Sequence, residues 1–124
     1  MRVGEEKGHK MKIRIKRVYE KPDKEDGFRI LVDRLWPRGV KKEDAGFDLW
    51  LKDIAPSDDL RKWFSHDPSK WQDFRKRYRH ELKDKPGMIE DLRKVSRRGT
   101  VTLLYAAKDA DRNNAVVLKE MIEE

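Results

Sequence analysis

The chain has no cysteine. Disulfide bridges, thiolate nucleophiles and thiolate metal sites are thereby excluded, and a cytoplasmic setting is compatible. Histidine is scarce. His9, His66 and His80 are scattered without metal-ligand spacing, so neither a metal nor a cofactor is expected. No apolar run approaches the roughly 20 residues that span a bilayer, and no signal-peptide core is visible, so no membrane contact is expected. A Gly-rich phosphate loop with its lysine, a G-x-S-x-G elbow, internal repeats and low-complexity segments are all missing. Apolar residues are a minority, 36% against 44% charged.

Such a balance borders on that of disordered chains. Four Trp, four Phe and clear apolar periodicity argue instead for a packed domain with a densely charged surface of thermophile type. A length of 124 residues suits one domain with a modest core. We expect a flexible polar tail over 1–10, with Met11 as an alternative start, followed by one α/β domain over 11–124. The net charge is +7. It is localised: residues 61–83 hold eight Lys or Arg against Asp67, Asp73 and Glu81. Fields act locally and salt screens them over about 10 Å, so this clustering matters more than the total.

Residues 12–19, K-I-R-I-K-R-V-Y, alternate polar and apolar. Ile13 and Ile15 share one face of a strand near a sheet edge, with Lys12, Arg14 and Lys16 on the other. The loop over 20–27 is too short for a helical crossover, so the next strand is either antiparallel or placed elsewhere in the sheet. That strand, 28–35, is apolar on both sides at Ile30, Leu31 and Val32, as an interior strand should be. Residues 47–54 fit a helical stripe through Phe47, Trp50, Leu51 and Ile54, and also a strand through Phe47, Leu49 and Leu51. The helical reading is preferred. Ser57 with Asp58 and Asp59 opens a short helix carrying Leu60, Trp63 and Phe64. Asp67-Pro68 opens the next, which runs to about Lys83 with Trp71, Phe74, Tyr78 and Leu82 on one face. After the break at Pro86-Gly87 a third helix spans about 88–98, burying Ile89, Leu92 and Val95 and ending at Gly99. Residues 100–107 are the clearest strand and 115–122 a closing helix. The sum is an α/β fold with a small, mostly parallel or mixed sheet flanked by helices.

Ligands of open α/β sheets collect beyond the carboxyl ends of parallel strands. Two such ends exist here. One closes the stretch R-I-L-V-D-R-L-W-P-R-G-V at 29–40; the other starts at Tyr105 and runs to Asn114. Were the two strands neighbours, both loops would meet. Arg34 and Arg38 offer planar forks for phosphate or carboxylate. Gly39 permits a left-handed turn that aims backbone N–H groups at an anion. Lys108 adds charge, and Asp33 and Asp109 could orient these cations. Asn113 stands near a helix N-terminus, where anions are favoured, or simply caps it. Trp36 either stacks on a ring or packs. Asp33 and Arg34 could instead be an ion pair that closes a strand. The pattern therefore points to a phosphate-bearing small molecule, a nucleotide or phosphorylated metabolite, without identifying a nucleophile.

Two further elements invite function. His66 beside Asp67 suggests a base, although the pair reads more simply as part of an inter-helix turn. On the helix over 70–83, Gln72, Lys76, Arg79 and Lys83 form a ridge that could track a nucleic-acid backbone, while the aromatic residues fall on the core side.

At these residues the chain resembles the YeaO-like branch of the family called domain of unknown function 488. The resemblance rests on R-V-Y-E at 17–20, L-V-D-R-L-W-P-R-G at 31–39 and W-L-K-D-I-A-P-S at 50–57. Further anchors are L-R-K-W-F-S-H-D-P at 60–68, V-T-L-L-Y-A-A-K-D at 101–109 and N-x-A-V-V-L at 113–118. It implies a small α/β domain and no established activity. Family members usually carry His-Asn-His-Ala before the last helix. This chain has Arg112, Asn113, Asn114 and Ala115 there, so both imidazoles are gone and Arg112 adds positive charge.

Overall fold

The computed structural model describes residues 11–124. The tail expected over 1–10, with His9, lies outside the described residues. Four strands form one parallel sheet in the order β1-β4-β2-β3: β1 Ile13–Arg17, β2 Phe28–Leu31, β3 Leu49–Trp50 and β4 Val101–Tyr105. The short 18–27 connection is accommodated because β4 lies between β1 and β2. Val101 faces Ile13 on one side and Phe28 on the other. The hydrogen-bonding groups of the two central strands are thus paired on both edges.

Helices α1 Asp58–Phe64, α2 Trp71–Lys83, α3 Pro86–Arg98 and α4 Asn114–Glu123 share one core with a single face of the sheet. Ile30, Val32, Val101 and Leu103 supply the sheet side. Phe64, Phe74, Tyr78, Leu82, Leu92 and Leu118 supply the helix side. Ser57 caps α1 by accepting the Leu60 N–H at 3.2 Å, and Glu81 of α2 receives both the Ser57 N–H and its hydroxyl at 2.9 and 2.6 Å. Pro86 opens α3 rather than only breaking its predecessor, since a first-turn proline forfeits no helical hydrogen bond. α1 closes on Ser65 in the left-handed region, φ 47°, followed by His66 at φ 58°. We expect Ser65→Gly to raise the urea midpoint by about 0.5 kcal/mol equivalent, relieved strain exceeding the added entropy of the unfolded chain. A lower midpoint would mean that the serine side chain holds the turn.

The other sheet face is covered by loops. Val18, Leu31 and Leu104 pack there with Phe47, Trp50 and Ala106. Arg14 and Lys16, on the face opposite Ile13 and Ile15, are engaged. They reach over the sheet to Asp26, which is fully buried and also bound by Arg29. Residues 47–54 are not a helix. Leu49 and Trp50 pair with Ile30 and Leu31, and a 3-10 turn, Lys52–Ile54, follows. The open edge of β2 decides this. Asp48 N–H to Arg29 O at 2.8 Å and Leu51 N–H to Leu31 O at 2.9 Å satisfy backbone groups that a helix would leave unpaired.

Candidate functional site

β2 and β4 are parallel neighbours, so the segments after them leave the same edge of the sheet. Between these segments and the end of α1 lies an open hollow of about 910 Å³. Asp33, Arg34, Trp36, Arg38, Lys108, Asp109, Arg112 and Asn113 all line it. Gly39 and Tyr105 do not. Gly39 makes the expected left-handed turn, φ 79°, just outside. Tyr105 is buried in the helix-side core, with its hydroxyl pushed up by burial.

The side chains have separate tasks. Arg34 makes no ion pair with Asp33: its Nε donates to Pro56 O at 3.0 Å, its Nη2 to Ala55 O at 3.3 Å, and Asp58 lies 3.9 Å away. Asp109 orients neither Arg38 nor Lys108. Its carboxylate accepts the Asp111 and Arg112 N–H groups and the Arg112 guanidinium at 3.2 Å, which holds it below the usual carboxylate range. Asn113, buried, caps α4 by accepting the Val116 N–H at 3.1 Å and donates to Asp109 O. Trp36 is 37% exposed; one side packs on Phe47 and Trp50, and its indole N–H donates to Val40 O. Among the described residues Arg38 and Lys108 have no carboxylate partner, and both are exposed.

Asp33 stands apart. Its carboxylate accepts the Ala106 N–H at 2.9 Å, and its backbone carbonyl accepts the Trp50 indole N–H. Burial pushes its pKa above the ordinary value, against the pull of Ala106, Asn114 and, more weakly, His66. A raised folded-state pKa means that the ionised form costs stability above that pKa, and that the cost fades as pH falls below the unfolded value. Asp33→Asn keeps an acceptor for Ala106. We expect its melting temperature to equal or exceed wild type at pH 7, with the gain shrinking toward pH 3; a clear loss at pH 7 would show that the charge itself holds the loops.

Sequence reasoning missed more than half of the wall. Arg17 donates to Ala106 O and Ala107 O at 3.1 and 2.9 Å, and Tyr19 donates to Arg38 O at 2.8 Å. Both follow β1, whose carboxyl end also opens on this edge. The quoted R-V-Y-E anchor was the available signal. Arg61, Lys62, Ser65 and His66 enter from α1 and its turn, so His66 does face the hollow. The positions where the resemblance expects histidines hold Arg112, paired with Asp109, and Asn114, whose amide donates to Val32 O at 2.9 Å.

The basic ridge on α2 is interrupted. Gln72, Lys76 and Lys83 are exposed, but Arg79 is bound by Glu124 and lies 3.8 Å from Glu120. Among the described residues no helix is long and apolar enough to cross a membrane, and no three His, Asp or Glu side chains gather as metal ligands would.

A family model described as "Inactive DUF488-N3 subclade" matches residues 12–124. The chain is 43% identical to the uncharacterized protein YeaO of Escherichia coli over 112 residues, 90% of this chain and 97% of that protein. It is 42% identical to the uncharacterized protein Rv3073c of Mycobacterium tuberculosis over 111 residues, 90% of this chain and 93% of the relative. No solved structure matches it.

Proposed function

Since the chain belongs to the DUF488 family, in the subclade described as inactive, we propose that it is a domain that binds an anionic, phosphate-bearing ligand without turning it over. One observation carries this reading. Arg38, Lys62 and Lys108, from three separate segments, line one hollow, and none has a carboxylate partner among the described residues. Seven Arg or Lys line that hollow against Asp33 and Asp109, which leaves its field positive. The N-terminus of α4 opens at the same place and favours negative charge. Binding rather than catalysis fits the side chains present. The Ser65 hydroxyl is held by no base among the described residues, and the Arg112 and Asn114 side chains serve the loop and β2.

The test is a thermal-shift titration with pyrophosphate. Wild type should be stabilised. Arg38→Ala, which removes an exposed side chain, should melt normally alone and bind roughly tenfold more weakly or worse, the usual cost of a lost charge-assisted hydrogen bond. No shift in wild type, or equal shifts in Arg38→Ala and Lys108→Ala, would defeat the reading.

A further inference from the structure

Resting on the anion-binding reading above, we propose that the hollow takes a phosphate ester of a nitrogen heterocycle in one orientation, its phosphate at the cationic rim and an N–H-bearing ring edge against Asp33. The hollow has two chemically different parts. Its rim carries the cations Arg38, Lys62 and Lys108, which have no carboxylate partner among the described residues. Its floor is Pro56, Phe64 and Phe74, all buried, together with Ala106 and the half-buried carboxylate of Asp33.

That carboxylate is out of place in a site for bare phosphate, which it would repel. It is not there to balance Arg34, whose guanidinium is turned to the Ala55 and Pro56 carbonyls and toward Asp58. The Ala106 N–H donates to it at 2.9 Å, and the Asn114 amide adds a smaller pull. A carboxylate offers about four acceptor positions, so capacity for donors remains. The apolar floor suits a flat ring, and about 910 Å³ lies within the roughly 300–1,000 Å³ typical of small-molecule sites and far exceeds a lone phosphate. A ligand that satisfies both parts carries its anion at one end and N–H donors at the other. Two adjacent N–H groups meet both oxygens of a carboxylate, as the N1–H and 2-amino edge of guanine does. Adenine turns an acceptor, N1, beside its amino group and meets Asp33 less well.

Titration calorimetry of the full chain with pyrophosphate, ribose 5-phosphate, AMP, IMP and GMP tests this. GMP should bind about tenfold or more tightly than AMP and ribose 5-phosphate, and IMP, which lacks the 2-amino group, should fall between. Asp33→Asn should remove the preference for GMP while keeping pyrophosphate binding. Should that variant fail to fold, the GMP–IMP–AMP order in wild type decides. Equal affinities for GMP, AMP and ribose 5-phosphate, or an undiminished GMP preference in Asp33→Asn, would overturn the ring-edge inference and leave the anion reading standing. Binding of no phosphate at all, pyrophosphate included, would overturn both.

Discussion

Replacing Asp26 with alanine should cost the fold about 3–5 kcal/mol, the range for removing one partner from a buried ionic cluster. The Asp26 side chain is wholly inaccessible. Its carboxylate sits 3.0 Å from Lys16 and 3.2 Å from Arg14, and Arg29 is bound more closely still. Arg29 is itself buried, and its guanidinium also donates to Gly46 O. Without Asp26 three cations would face one another beneath the 18–27 connection. The same residue ties that connection to the sheet, because Thr102 Oγ1 donates to Asp26 O at 2.7 Å. Burial alone would push the Asp26 pKa up. The hydrogen bonds donated by Lys16, the Asp23 N–H and Arg29 outweigh it and hold the carboxyl below the usual range. A depressed folded-state pKa gives stability that is present above the unfolded value of about 3.9 and is lost as pH falls through the folded one. Urea denaturation at pH 7 should show the full loss in Asp26→Ala. In Asp26→Asn the steep acid limb of stability below about pH 4 should flatten. A loss under 1 kcal/mol would mean that the cluster is solvated and structurally idle.

Gly27→Ala should be comparably damaging, about 3 kcal/mol or more, from backbone strain plus overpacking. Gly27 has φ 64° and ψ −131°, a conformation that essentially requires glycine. A Cβ there would lie 2.1 Å from Thr100 O, which already accepts the Phe28 N–H at 2.9 Å at the start of β2. Gly39 is the control. Its φ is 79°, but nothing lies within 4 Å of its would-be Cβ. Gly39→Ala therefore carries only the backbone penalty, roughly 1–2 kcal/mol. Equal melting temperatures for the two variants would contradict the close packing of β2 on β4.

Much of the fold was legible because its signals are local. Caps at Ser57 and Asp67 and the stripe through Phe74, Tyr78 and Leu82 set the helices, and the β-branched run ahead of Tyr105 marks β4. The misreadings were tertiary. Nothing near Leu49 and Trp50 announces an exposed β2 edge, so helical spacing prevailed on paper and ladder hydrogen bonds prevail in the fold. The partner of Arg14 and Lys16 was not legible because Asp26 comes from a loop whose path over the sheet no periodicity encodes. Adjacency of β2 and β4 made the candidate site legible through Asp33, Arg38 and Lys108. Arg17, Tyr19, Lys62 and His66 escaped because strand order and the angle of α1 bring them in, and Arg34 and Asp109 were read as ligand groups although neighbouring backbone groups engage them.

The most direct measurement of the central claim is a crystal structure of the protein soaked in pyrophosphate. The account predicts anion density between the loop after β2 and the loop after β4, in contact with Arg38 and Lys108. Full occupancy of the soaked anion elsewhere on the surface, with the hollow holding only water, would contradict it.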